Sequence, residues 1–124
     1  MPTESKINRL LSNITRATIS NAISWEISSP PRGLEAGTDD LFPVYLQTQY
    51  KSQTIGLYER RYKNFFPDFD SFLWATRIGL IFIDLAERVT WEHEEPSVAL
   101  HNLFQVARES ASGIDSIVSR LLEE

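Results

Sequence analysis

The chain has 124 residues, 42% of them hydrophobic and 23% charged, with no cysteine and a formal net charge of −5. That is the size of one domain, residues 1–124, able to bury roughly two thirds of its unfolded surface in a core without covalent staples. The composition excludes a disulfide framework, a thiolate metal site and a cysteine nucleophile, and the acidic balance argues against whole-surface attraction to nucleic acid or anionic lipid.

The first residues carry no cationic stretch followed by an apolar run, so no signal peptide is expected. The longest apolar-rich stretch, Ile78 to Ala86, falls short of the ~20 residues of a membrane-spanning helix. A cytoplasmic protein without membrane contact is the expectation. Ile7, Leu10, Leu11, Ile14 and Ala17 then recur at helical spacing, with Thr3 or Ser5 available as a cap. Ile23, Trp25 and Ile27 alternate with Ser24, Glu26 and Ser28, which predicts a half-buried strand. Ser28 to Pro43 is punctuated by proline and glycine and has no period, which predicts a loop of roughly 15 residues.

Val44 to Tyr50 alternates again, and a strand from Ile55 to Lys63 follows. A tight turn at Ser52-Gln53 would pair Tyr50 with Ile55 and Thr48 with Leu57. That register puts Val44, Leu46, Tyr50, Ile55 and Leu57 on one apolar face. The opposite face carries Tyr45, Gln47, Gln49, Tyr58, Arg60 and Tyr62. Asn64 to Ser71, broken by Pro67, reads as a second loop. Phe72 to Asp84 is apolar on both faces, most strongly from Ile78 to Ile83, which predicts a central strand covered on both sides. Arg88 to His93 gives a short strand with Val89 and Trp91 on one face.

From the cap residue Ser97, apolar residues hold one helical face from Leu100 through Leu122. Gly113 interrupts this pattern, and its phase fits one long helix or two nearly collinear ones. The predicted fold class is therefore α+β, an antiparallel sheet of about five strands with an N-terminal and a C-terminal helix packed on one face.

The ordered pieces "LLSNITRATISNAISWEI", "IGLYERRYKNFF", "FLWATRIGLIFID", "RVTWEHEEP" and "LHNLFQVARESASGIDSIVSRLL" resemble a group of short bacterial α+β proteins. These share a helix leading into a Trp-bearing strand, aromatic-basic antiparallel strands and a C-terminal helix. The resemblance implies the fold and carries no function. Residues 29–43 stand outside its pattern.

Chemistry-bearing clusters are sparse. His93 and His101 are the only histidines, and eight positions and a proline separate them, too loose for a zinc motif. Asp68 with Asp70, and Asp39 with Asp40, lack the glycine and distal glutamate of a calcium loop and suit turns. No phosphate-binding loop and no nucleophile pattern occurs. No catalytic residue, metal or cofactor is expected.

The candidate ligand- or partner-binding residues are Tyr45, Gln47, Tyr58, Arg60 and Tyr62. Aromatic and guanidinium planes beside amides can grip a nucleobase and phosphate, or a peptide carboxylate. Tyr and Arg are also ordinary residues for a solvated strand face. Arg61 and Lys63 fall on the other face. Two helices cover one sheet face only, so the doubly apolar strand needs cover from the long loop, a second subunit or a partner. A homodimer through the helix-free face is the first expectation. The expected function is that of a small non-enzymatic binding protein, homodimeric, acting by occupying a protein partner. An alternative is a sponge for a small anionic ligand such as a nucleotide, held by Tyr58, Arg60 and Tyr62 under the Pro30 to Phe42 loop, a form suited to anti-defence. A third reading, a metal-dependent enzyme, uses His93, Asp68 and Asp70.

Overall fold

The computed structural model describes residues 3–123. Helix α1 (Glu4–Ile19) leads to the short strand β1 (Glu26–Ile27) and a single helical turn, α2 (Arg32–Glu35). Strands β2 (Leu41–Tyr50), β3 (Gln53–Phe66), β4 (Ser71–Ile83) and β5 (Val89–His93) follow. Helices α3 (Val98–Ser112) and α4 (Ile114–Leu122) complete the chain. The five strands form one antiparallel sheet in the order β1-β2-β3-β4-β5. This is the α+β architecture that the alternation and helical periods predict.

The helices start where capping chemistry exists. Thr3 Oγ1 accepts the Lys6 amide at 3.2 Å, and Ser97 Oγ accepts the Leu100 amide at 3.1 Å. Each bond satisfies one of the amides that a helix N-terminus leaves unpaired. Both helices press the same sheet face. Leu11 and Ile14 of α1 meet Leu100, Leu103, Phe104 and Ala107 of α3 over Leu46, Ile55, Leu57 and Leu80. Burying each large aliphatic side chain contributes about 1.5–3 kcal/mol. Trp25 joins this core and is tied to both helices. Its Nε1 donates to Thr18 Oγ1 at 3.0 Å, and its amide donates to Ser110 Oγ at 3.3 Å. Ile27, expected on the same face as Trp25, is exposed because β1 pairs for only two residues at the sheet edge.

The second sheet face has its own small core of Leu34, Tyr45, Tyr58, Ile81 and Ile83, with Phe42 and Val89 against it. The long loop thus supplies cover for the central strand through Leu34 of α2, and Phe42 at the start of β2 adds to it. Tyr45 and Tyr58 lie flat on the sheet over Gly56 and Gly79. A Cβ at either glycine would collide with a tyrosine ring.

Three local expectations are corrected and one open alternative, at Gly113, is decided. The β2–β3 turn is Lys51-Ser52, both left-handed at φ 50° and 68°, as a mirror-type two-residue turn requires. Tyr50 pairs with Gln53, and Thr48 pairs with Ile55. The shift from the expected pairing is even, so every side chain keeps its face. Strand β2 begins at Leu41, with its register shift between Leu41 and Val44 accommodating Pro43. The expected Asn64 to Ser71 loop is mostly strand. The β3–β4 ladder runs to Phe66–Ser71 and turns through a short 3-10 segment, Pro67–Phe69, with Asp70 left-handed. The C-terminal helix breaks at Gly113, left-handed at φ 65°, which ends α3 and starts α4.

Candidate functional site

Two surfaces gather aromatic and cationic side chains, the face carrying Tyr45, Gln47, Tyr58, Arg60 and Tyr62 and a second one beside it. On the first, Tyr45 and Tyr58 are cross-strand partners and are 2% and 0% exposed. Tyr45 donates its hydroxyl to Gln47 Oε1 at 2.9 Å, and Tyr58 donates to Glu94 Oε2. Phe42 meets the Tyr58 ring edge-on, with centroids 5.5 Å apart. Arg60 grips Glu94 with two bonds, Nε to Oε2 at 2.8 Å and Nη2 to Oε1 at 2.6 Å. Its Nη1 donates to Asp40 Oδ2 at 2.8 Å. The guanidinium sits 4.6 Å from the Tyr62 ring centroid, and Arg77 Nε donates to the Tyr62 hydroxyl at 3.0 Å.

The structure therefore brings all five chosen residues onto one face. It also seals two of them beneath the loop and neutralises the third. Asp40 from the loop and Glu94 from the segment after β5 close over Arg60. Burial pushes the Tyr58 hydroxyl pKa up, and its bond to Glu94 adds to that, so Tyr58 stays protonated. Burial pushes the Glu94 carboxyl up, but the Arg60 and Tyr58 bonds outweigh it and leave Glu94 below the usual carboxylate value. The Glu94 bonds raise Arg60 further above its ordinary value. Among the described residues, no buried side-chain nitrogen or oxygen lacks a hydrogen-bond partner. The assembly works as an internal clamp joining loop, β3 and the start of the C-terminal region.

Glu94 is the residue that sequence reasoning missed. It lies one residue past the end of β5, outside every periodic segment. Its signal was indirect, since an arginine on a covered sheet face needs a carboxylate.

The residues of the metal reading lie apart. His93 pairs with Leu80 on β4 and stacks on Trp91 at 5.8 Å, whereas Asp68 and Asp70 sit at the hairpin tip beside Ser71. Leu80 and Ser71 lie nine positions apart along extended strand, roughly 30 Å. Among the described residues, no group of three or more metal-ligating side chains is assembled.

The second surface is the far half of the β3–β4 hairpin. Pairing with β2 ends at Arg61, and pairing with β5 begins only at Leu80. Residues 62–75 therefore project as a two-stranded arm, five ladder rungs or roughly 17 Å long. Its helix-side face carries Lys63, Phe65, Phe72 and Trp74, with Arg61 at its base. Phe65 and Phe72 touch with ring centroids at 5.2 Å, and Lys63 Nζ lies 5.6 Å from the Trp74 centroid. Phe72 is 65% exposed, Trp74 48% and Phe65 45%. Phe69 at the tip and Leu73 on the opposite face are exposed too.

The same region carries charge of both signs. Arg61 and Lys63 lie on its helix-side face and Asp68 and Asp70 at its tip, within a chain of net charge −5. An exposed apolar patch with a polar rim marks an interaction site more often than a folding requirement. No helix of the described residues is long and apolar enough to cross a membrane. No family model, no curated protein and no solved structure matches this chain.

Proposed function

We propose that the protein is a non-catalytic interaction module that occupies a protein partner through the helix-side face of the β3–β4 arm. One observation carries this reading. Phe65, Phe72 and Trp74 are exposed on a projection that the rest of the fold does not cover, with Arg61 and Lys63 beside them. Aromatics and arginine are the residues that interfaces enrich, and a central aromatic cluster is the usual anchor. Burying three such rings yields several kcal/mol before the costs of association are subtracted. The matching partner surface is apolar with carboxylates at its rim.

The geometry favours this reading over an anion sponge. The face that would hold a nucleotide is filled by Leu34 and Phe42, and Arg60 already meets two carboxylates. A nucleotide would have to displace the loop and an ion pair before binding. A test is photo-crosslinking in living cells, with the reactive side chain placed at Phe72 and, as a control, at the exposed Gln49. Adducts of defined mass at position 72 and none at position 49 are expected. An arm that yields no adduct, or one no different from the control, overturns the reading.

A further inference from the structure

We infer that the partner received by the arm is helix α4 of a second copy of this chain. This rests on the reading of the arm above. Helix α4 is a second uncovered apolar element of the molecule. None of its nine residues is buried. Ile114, Ile117, Val118 and Leu121 recur at the spacing of one helical stripe, and Val118 and Leu121 are 45% and 74% exposed. A helix this short is not stable in water on its own strength, so its apolar stripe calls for cover.

The chain cannot provide that cover from its own arm. Helix α3 begins at the arm's base, where Ser97, Leu100 and His101 line one hollow with Thr76 and Ile78. It ends at the opposite side of the sheet, where Ser110 meets Trp25. Its 15 residues span roughly 22 Å. Helix α4 starts from that far end, so arm and α4 are separated by the length of α3.

Charge selects the pairing. The helix-side face of the arm carries Arg61 and Lys63, with Asp68 and Asp70 at the tip, whereas α4 and the residue after it carry Asp115 and Glu123 against Arg120. Arm against arm brings the cations Arg61 and Lys63 of the two copies together. Arm against α4 brings opposite charges together around two apolar surfaces. In a two-fold dimer each chain gives its arm and receives its partner's on α4. Residue i then meets residue j while j meets i, the condition for a closed pair.

The test uses the full chain in sedimentation velocity. Wild type sediments as a dimer. Trp74→Glu and Val118→Glu each weaken self-association at least about tenfold, with helical and strand signals in circular dichroism unchanged. An equimolar mixture of the two variants regains a dimer, because Trp74→Glu retains α4 and Val118→Glu retains the arm. Phe72→Ser and Leu121→Ser replace them if either glutamate variant fails to fold. A wild-type monomer at about 100 µM overturns the inference, since a dimer that weak has no interface of ordinary quality. So does a mixture of folded variants that gains nothing, or a Val118→Glu protein that dimerises like wild type. A monomer that still crosslinks through position 72 to a chain of another mass sinks this inference and leaves the proposed function standing.

Discussion

Strand β4 contains two apolar halves with opposite fates. From Ile78 to Ile83 it lies between two layers. Leu80 faces the helices, and Ile81 and Ile83 face Leu34 of the loop. From Phe72 to Trp74 it is equally apolar, and it stands in solvent. The ladder to β3 is continuous through both halves, so backbone pairing does not distinguish them. What distinguishes them is reach. Strands β2 and β5, the helices and the loop all stop short of the distal half. Apolar content in a strand reports that a surface needs cover. Only the rest of the fold decides whether the cover is internal.

This contrast predicts a graded response to mutation. The largest effect belongs to the base, where Leu80→Ala should cost about 2–5 kcal/mol in urea unfolding by removing a fully buried side chain. Phe72→Ala, on the same strand and bulkier, should cost within about 0.5 kcal/mol when the chain is dilute. Comparable losses at the two sites would erase the distinction. Gly79→Ala is next. It drives a methyl group into the Tyr58 ring, and overpacking of this kind costs about 1–3 kcal/mol. A Gly79→Ala protein as stable as wild type would mean that the Tyr58 ring readily moves off the sheet.

The clamp on the covered face lies between these extremes. Arg60→Ala leaves Glu94 and Asp40 without their cation. The three side chains are 24%, 17% and 21% exposed, so solvent softens the loss to about 2 kcal/mol. The same cluster sets a pH dependence. Glu94 titrates lower in the folded protein than in the unfolded chain, whose ordinary value is 4.5. Its contribution is therefore complete above that value and is lost as pH falls through the folded pKa. Glu94→Gln should flatten the acid limb of a stability-versus-pH curve. An acid limb unchanged in the variant would place the titration elsewhere. Arg61→Ala on the arm should have the smallest effect on monomer stability, within about 0.5 kcal/mol, as an exposed substitution.

Most of the fold was legible because period and composition agree with burial along the helices and the strand centres. The β2–β3 faces survived an error in the turn, since an even register shift leaves the alternation intact. The cover over Tyr45 and Tyr58 was harder to read. It comes from Leu34 and Phe42, isolated apolar residues in a stretch without a period. Pro67 made Asn64 to Ser71 resemble a loop, which hid the arm. The chosen site residues do share a face, but their identities could not reveal that Asp40 and Glu94 close over it. Exposure and partnering are tertiary facts. The sequence showed the aromatic-basic stretch, and the fold splits it into a clamp at Tyr58 and Arg60 and a free surface from Arg61 onward.

The central claim is that the arm is surplus to the monomer's fold and meets a second copy. Thermal unfolding of wild type and of Phe65→Ser/Phe72→Ser/Trp74→Ser, from about 1 to 100 µM, tests both halves together. Wild-type Tm should rise with concentration, the variant Tm should not, and the two should converge at the dilute end. A variant that is far less stable at every concentration, or a wild type whose Tm ignores concentration, would contradict it.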